Sequence, residues 1–205
     1  AAPFGGMILA ELGAEVIKVE NPGTGDDARL WGPPFVEGSS ALFRTLNRNK
    51  RSAAVNLRDA EQVAALRAFI LEKADAVIQN MRPGKVDEFG LDGRTLRAHN
   101  PALIYCNMGA YGPVGPLSRR PGYDPLMQAF GGIMSITGEE GREPVRVSPS
   151  IVDQGTGMWA VIAILSALHR RTATGEGCEI DTNLFETAVT WVAPHMANYL
   201  ASGQV

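Results

Sequence analysis

Four short apolar runs rich in β-branched residues constrain this chain most: EVIKVE (15–20), SAAVNL (52–57), ADAVIQNM (74–81) and ALIYCNMG (102–109). Runs of this length, with Val and Ile prominent, read as strands. Helical patterns lie between them. FGGMILAELGA (4–14) puts Met7, Ile8 and Leu12 on one face. DAEQVAALRAFILEKA (59–74) opens on an Asp cap and carries Val63, Leu66, Ile70 and Leu71 at helical spacing, and the shorter DGRTLRAHN (92–100) closes before Pro101. Strand and helix in alternation predict right-handed βαβ units on a mainly parallel sheet. Strands of such a sheet are covered on both faces, which explains why the runs are almost continuously apolar rather than alternating. The fold class expected is therefore α/β, a Rossmann-like mainly parallel sheet with flanking helices.

Beyond residue 110 the texture changes. GAYGPVGPLSRRPGYDP (109–125) holds four Gly and four Pro, so it reads as a long loop, and loops of that length are commonly functional. A helix over PLMQAFGGIMSITG (125–138), the polar stretch EEGREPVRVSPS (139–150), and a helix from about 153 to 171 are expected next. CEIDTNL (178–184) reads as another strand and FETAVTWVAPHMANYLA (185–201) as a final helix interrupted near Pro194.

With 45% hydrophobic and 20% charged residues and a net charge of −3, the composition is that of a globular chain. No Lys/Arg run dominates, so nucleic acid is not an expected partner. Cys106 and Cys178 lie far apart without a CxxC partner, which argues against a disulfide scaffold or zinc site and fits a reducing, cytoplasmic setting. GMWAVIAILSALHRR (157–171) is the longest apolar stretch. It falls short of the roughly 18 residues of a membrane span and ends in basic residues, so it reads as a buried core helix and no membrane is expected. No signal-peptide pattern is apparent. The first residues already lie inside an apolar pattern without a Met, so a piece of a longer polypeptide is the expectation.

The dinucleotide fingerprint G-x-G-x-x-G, the P-loop, HExxH, GxSxG and zinc spacings are all missing. His99, His169 and His195 are scattered and read as structural, His169 suiting the negative end of a helix dipole. Basic groups near strand ends are more suggestive. Arg48, Lys50 and Arg51 stand just before a strand, and Asn80, Arg82 and Lys85 at or just past the C-terminal end of another. Ligands of open α/β sheets settle outside the carboxyl ends of strands, where Arg and Lys suit a phosphorylated ligand. A solvated charged rim is the alternative. In PSIVDQGTG (149–157), Asp153 precedes Gly155 and Gly157 at the head of a long apolar helix. Local pattern alone reads it as a helix N-cap.

Six segments, in order, carry a resemblance: GAEVIKVENPGTGDDAR, NRNKRSAAVNL, NMRPGKVDEFGL, NPALIYCNMGAYGPVGP, GYDPLMQAFGGIMSITG and TGEGCEIDTNLFETAV. Together they resemble the class III CoA-transferase family, which includes formyl-CoA transferase, carnitine CoA-transferases and α-methylacyl-CoA racemase. Members are much longer, so the resemblance implies that residues 1–205 are most of the larger, Rossmann-like domain, without the smaller domain and the closing C-terminal segment. It also implies an interlocked homodimer, acyl-CoA and a carboxylic acid as small-molecule substrates, and no metal.

By the same resemblance, Asp153 is the nucleophile. A carboxylate attacks the acyl-CoA thioester to give a mixed anhydride, the released CoA thiolate returns to form an aspartyl-CoA thioester, and the acceptor acid then takes its turn. Racemases of the family use an Asp with a His in a GHD-like motif, where this chain has Tyr123 in GYD. A phenol of ordinary pKa near ~10 is a poor base for that proton, so transfer is favoured, with Tyr123 beside the active site. A racemase or epimerase and a non-catalytic CoA-binding module remain as alternatives. The resemblance assigns CoA contacts to Ala1, with Ala2 and Pro3, then Asn21, Val55, Asn56, Leu57, Arg58, Asn80, Met81, Arg82, Lys85, Arg120 and Asp124. Met81 replaces the usual Phe, Glu88 stands where some members have Arg, and Pro121 where formyl-CoA transferase has Lys. Arg82, Lys85, Arg119 or Arg120 are the compensating cations. Arg142 or Arg146 could meet a dicarboxylate, a solvated loop being the other reading.

Overall fold

A computed structural model describes residues 1–204. Helix α1 (Ala2–Glu11) leads into β1 (Val16–Glu20), a hairpin of β2 (Phe35–Val36) and β3 (Ser39–Ser40), and α2 (Ala41–Asn47). Then come β4 (Lys50–Ala54), α3 (Ala60–Lys73), β5 (Ala76–Gln79), α4 (Gly93–His99) and β6 (Ile104–Gly109). The later part holds α5 (Asp124–Phe130), α6 (Ile151–Thr174), β7 (Glu179–Asn183), α7 (Leu184–Trp191) and α8 (Ala193–Ser202). β1 pairs parallel with β4, and β5, β6 and β7 form a second parallel sheet in that order. The α/β class expected from the alternation holds, and α1 touches both parallel pieces.

Helix starts follow the capping residues. The Asp59 carboxylate accepts the N–H groups of Glu61 and Gln62 at α3, Asp92 accepts Thr95 N–H at α4, and Asn183 accepts Glu186 N–H at α7. Each cap satisfies donors that the first helical turn leaves open. The expected long final helix breaks at Val192, with Pro194 in the first turn of α8. The hairpin and α2 were not legible in the polar, Pro-rich stretch 21–49. Ser40 anchors α2: its hydroxyl donates to Ala28 O and accepts Phe43 N–H.

Both faces of the β5–β7 sheet are covered. Ile104, Cys106 and Met108 of β6 pack on Ala160, Ile164 and Ala167 of α6, while Leu103 and Tyr105 pack with Ile70 and Leu96 of α3 and α4. Near its start, Val152 of α6 shares a cluster with Leu184 and Ala110, just past the C-terminal ends of β7 and β6. Near its end, Arg171 binds Asp75 at 2.6 Å and Ala102 O at 3.1 Å, ahead of β5 and β6. Helix α6 therefore runs antiparallel to the strands, with its head at their carboxyl edge.

Three expectations change here. α6 begins at Ile151 and ends at Thr174, longer at both ends than read, because its start is set by a distant partner described below. Its 24 residues, with a window of mean hydropathy 1.5, are long and apolar enough to cross a membrane by length and composition, contrary to the expectation from 157–171. It packs as a core helix on α1, α7, β6 and β7. Lastly, Lys50 and Arg51 lie inside β4 at its N-terminal end, opposite the carboxyl edge. Arg48 pairs with Glu11 and Arg51 with Glu15, so all three stand at the N-terminal end of β4. Cys106 and Cys178 are both free thiols, and burial pushes Cys106 up to about 11.

Candidate active site

The head of α6 organises the site. A helix leaves its first N–H groups without partners, and Ser150, at the N-cap position, provides no side-chain hydrogen bond. Asp124, the first residue of α5, supplies the acceptor instead. Its Oδ2 accepts Val152 N–H at 2.8 Å and Asp153 N–H at 3.0 Å, across 28 and 29 residues of chain. Its Oδ1 accepts Gln128 Nε2 at 2.6 Å. Gln128 is fully buried, and its Oε1 accepts Val147 N–H at 2.8 Å, which ties the polar loop before α6 into the same network.

The N-cap reading is corrected by this geometry. Asp153 is not the N-cap but sits in the first turn of α6, its main-chain N–H already taken. Asp124, expected against CoA, is 2% exposed with both carboxylate oxygens turned inward. The Asp153 side chain is 35% exposed, and the Ala1 nitrogen lies 3.3 Å from its Oδ1.

Gly155 and Gly157 are packing residues rather than loop residues. A Cβ on Gly157 would stand 2.9 Å from Ala1 O and 3.0 Å from Gly5 N, so its absence lets α1 cross α6 closely and brings Ala1 to Asp153. A Cβ on Gly155 would meet Thr187 and Trp191 of α7 at 2.9 and 3.0 Å. Below them the Thr156 hydroxyl donates to Val152 O and pairs with Thr187 Oγ1, both at 2.8 Å. Tyr123 immediately precedes Asp124, is 69% exposed, and its hydroxyl makes no hydrogen bond among the described residues.

The remaining expected contacts stand at the carboxyl edge in separate groups. Asn21, after β1, accepts Gly23 N–H at 2.8 Å and shapes a turn. Val55 N–H donates to Glu20 O at 2.9 Å, joining the ends of β1 and β4, and Asn56 Oδ1 accepts Arg58 N–H at 3.0 Å. Leu57 and Arg58 line a groove of about 510 Å³ with Ala64, Arg67 and Phe89. After β5, Met81 N–H donates to Gln79 Oε1 at 2.8 Å, while Asn80 and Arg82 continue the same segment. Lys85 pairs with Glu88 at 2.5 Å and lies over the Phe89 ring. Arg119 and Arg120 are exposed in the long loop.

Glu20, which the sequence reading missed, locks the Asn21 side. Arg29 donates twice to its carboxylate at 2.8 and 2.9 Å, joined by Ser52 Oγ and Asp26 N–H. Arg29 chiefly, opposed by burial and helped by Ser52 and Asp26, holds the Glu20 carboxyl at about 2. Lys50 was also misread. Its ammonium donates to Pro3 O, Leu46 O and Asn47 Oδ1 and so fixes the first turn of α1. Burial, then the neighbouring Lys18, pushes it down to about 8. The charge of Asp26 opposes that shift. Nothing local marks Lys50, which reads as lying before the strand, and nothing local separates Glu20 from a solvated strand end. Among the described residues no three His, Cys, Asp or Glu are grouped to hold a metal.

The family model for CoA-transferase family III matches residues 1–205. The chain belongs to that family. This family III chain is 44% identical over 200 residues to succinyl-CoA:glutarate CoA-transferase of Mus musculus, covering 98% of the chain and 46% of the relative. It is 41% identical to succinate–glutarate CoA-transferase of Agrobacterium fabrum, covering 100% of the chain and 52% of the relative. A solved CAIB/BAIF family protein from Brucella suis superimposes with a TM-score of 0.94 at 47% identity, over 98% of the chain and 54% of that structure. The family III chain thus spans about half the length of the curated relatives it matches.

Proposed function

We propose that the full-length protein is a CoA-transferase that moves CoA between an acyl-CoA donor and a carboxylic acid, with Asp153 as nucleophile. The observation that carries this reading is the Asp153 carboxylate, partly exposed at the carboxyl edge of the sheet, its main-chain N–H taken by Asp124 and its side chain outside that network. In the first step Asp153 attacks the thioester carbonyl, the C–S bond breaks, and CoA leaves as thiolate from a mixed anhydride. The thiolate then attacks the aspartyl carbonyl, freeing the donor acid and leaving an aspartyl-CoA thioester. The acceptor carboxylate attacks this thioester and CoA leaves again. Attack of CoA on the acceptor's acyl carbon forms the product and restores Asp153. Splitting the exchange this way replaces one difficult displacement by easier acyl transfers.

Relatives named for glutarate, D-citramalate and mesaconate support a dicarboxylic acid as one substrate. Arg142 and Arg146, exposed in the loop before α6, are cations suited to its second carboxylate. CoA is read as lying along Ala1, Asn21, Val55–Arg58 and Asn80–Arg82, with no metal taking part. The working unit is read as an interlocked homodimer, which the exposed apolar face of α6 supports.

The test mixes full-length protein with a panel of acyl-CoAs, quenches with hydroxylamine and maps peptides by mass. A hydroxamate on Asp153 is expected. Deuterium exchange at the α-carbon of a branched acyl-CoA without any trapped Asp153 would replace transfer by racemisation. Asp153→Ala is expected to lower transfer at least about 10³-fold with CoA affinity little changed, and retained transfer would remove Asp153 from the mechanism.

A further inference from the structure

Ser150 and Asp153 have the S-x-x-D spacing of a capping box. In that motif the serine hydroxyl accepts the N–H of the third helical residue, and the acidic side chain there reaches back to the serine N–H. Neither bond forms here. Ser150 makes no side-chain cap, and Asp153 N–H goes to Asp124 instead. The alternative is costly for a nucleophile, because a capping box would fold the Asp153 carboxylate onto the helix and occupy an oxygen.

We infer that Asp124, held by Gln128, is a positioning residue that displaces this capping box and so keeps the Asp153 carboxylate out of the helix's own hydrogen bonds at the strand edge. The inference rests on reading Asp153 as the nucleophile. Asp124 suits the task on three grounds. It is buried, so it does not exchange its N–H partners for water. Its second oxygen is fixed by Gln128, whose other end is bonded to Val147 and thereby to the loop leading into Ser150. It also starts α5, whose Met127 packs against Val152 in a shared apolar cluster, so the acceptor and the helix head move as one body. The sequence offers α6 a local cap, and the tertiary structure overrides it.

The decisive variants in the full-length protein are Asp124→Ala and Asp124→Asn. Asp124→Ala frees the N–H groups of Val152 and Asp153 and lets the capping box close. Its kcat for transfer is expected to fall about 10- to 100-fold, with KM for acyl-CoA within about twofold. Asp124→Asn keeps one acceptor oxygen for the α6 N–H groups but turns its NH2 toward Gln128 Nε2, and is expected to recover part of that loss. A crystal structure of Asp124→Ala should show an Asp153 oxygen on Ser150 N–H. Unchanged kcat in Asp124→Ala, or a rise in KM at constant kcat, overturns the inference. If Asp124→Ala does not fold, Gln128→Leu serves: it loosens Asp124 without removing it and is expected to lower kcat severalfold at constant KM, an unchanged kcat being the contrary result. Transfer retained in Asp153→Ala would overturn the nucleophile whatever Asp124 does. An inactive Asp153→Ala beside a fully active Asp124→Ala overturns the positioning role alone.

Discussion

Glu20 and Asp153 are both carboxylates at the carboxyl edge of the sheet, and their surroundings give them opposite fates. Glu20 is enclosed by Arg29, Ser52 and Asp26 N–H, so its charge is spent on structure. Its folded pKa of about 2 lies below the ordinary 4.5, so its ionised form contributes stability that is fully present above about pH 4.5 and lost as pH falls toward 2. Glu20→Gln is expected to cost on the order of 2–3 kcal/mol at neutral pH and to flatten the acid loss across that window. Urea unfolding of the full-length protein at a series of pH values checks both. Asp153, by contrast, stays 35% exposed, with only the Ala1 nitrogen, 3.3 Å from its Oδ1, against the carboxylate. The sequence marked Asp153 and passed over Glu20, since burial and an arginine nine residues on have no signature in a short window.

At the scale of elements, the crossing of α1 and α6 decides the site. Gly157 faces backbone atoms of Ala1 and Gly5, which cannot swing aside as a side chain would. Gly157→Ala is expected to destabilise by about 1–3 kcal/mol and to lower transfer activity by moving Ala1 from Asp153. Thermal unfolding and steady-state kinetics measured on the same preparation test this, and wild-type values for both would show that the crossing tolerates a methyl group. Sequence periodicity found α3 and α4 nearly to the residue, because Asp59 and Asp92 cap them locally. It misplaced the start of α6, because the capping carboxylate belongs to another helix.

For the whole molecule, Met158, Trp159, Ile162 and Leu165 expose an apolar face on the central helix α6. Exposed apolar area of this kind drives association. Residues 1–205 produced alone are expected to sediment as a concentration-dependent mixture, and the full-length protein is expected to sediment as one discrete dimer. Analytical ultracentrifugation distinguishes them, and a monodisperse monomer of 1–205 would show that this face needs no cover.

By itself the sequence determined the alternation of strands and helices, and with it parallel strands past whose carboxyl ends the candidate residues stand in separate groups. It also marked Asp153, through segments kept in order along the chain. These features are local or periodic, so they survive in one dimension. Only the tertiary structure decided which groups stand exposed at the carboxyl ends of the strands and which are consumed by the fold. Lys50 binds carbonyls 47 and 4 residues away. Asp124 turns from the expected CoA surface to the head of α6. Both outcomes depend on contacts between residues far apart in the chain, where burial makes every unpaired polar group costly and so fixes which partner each one takes.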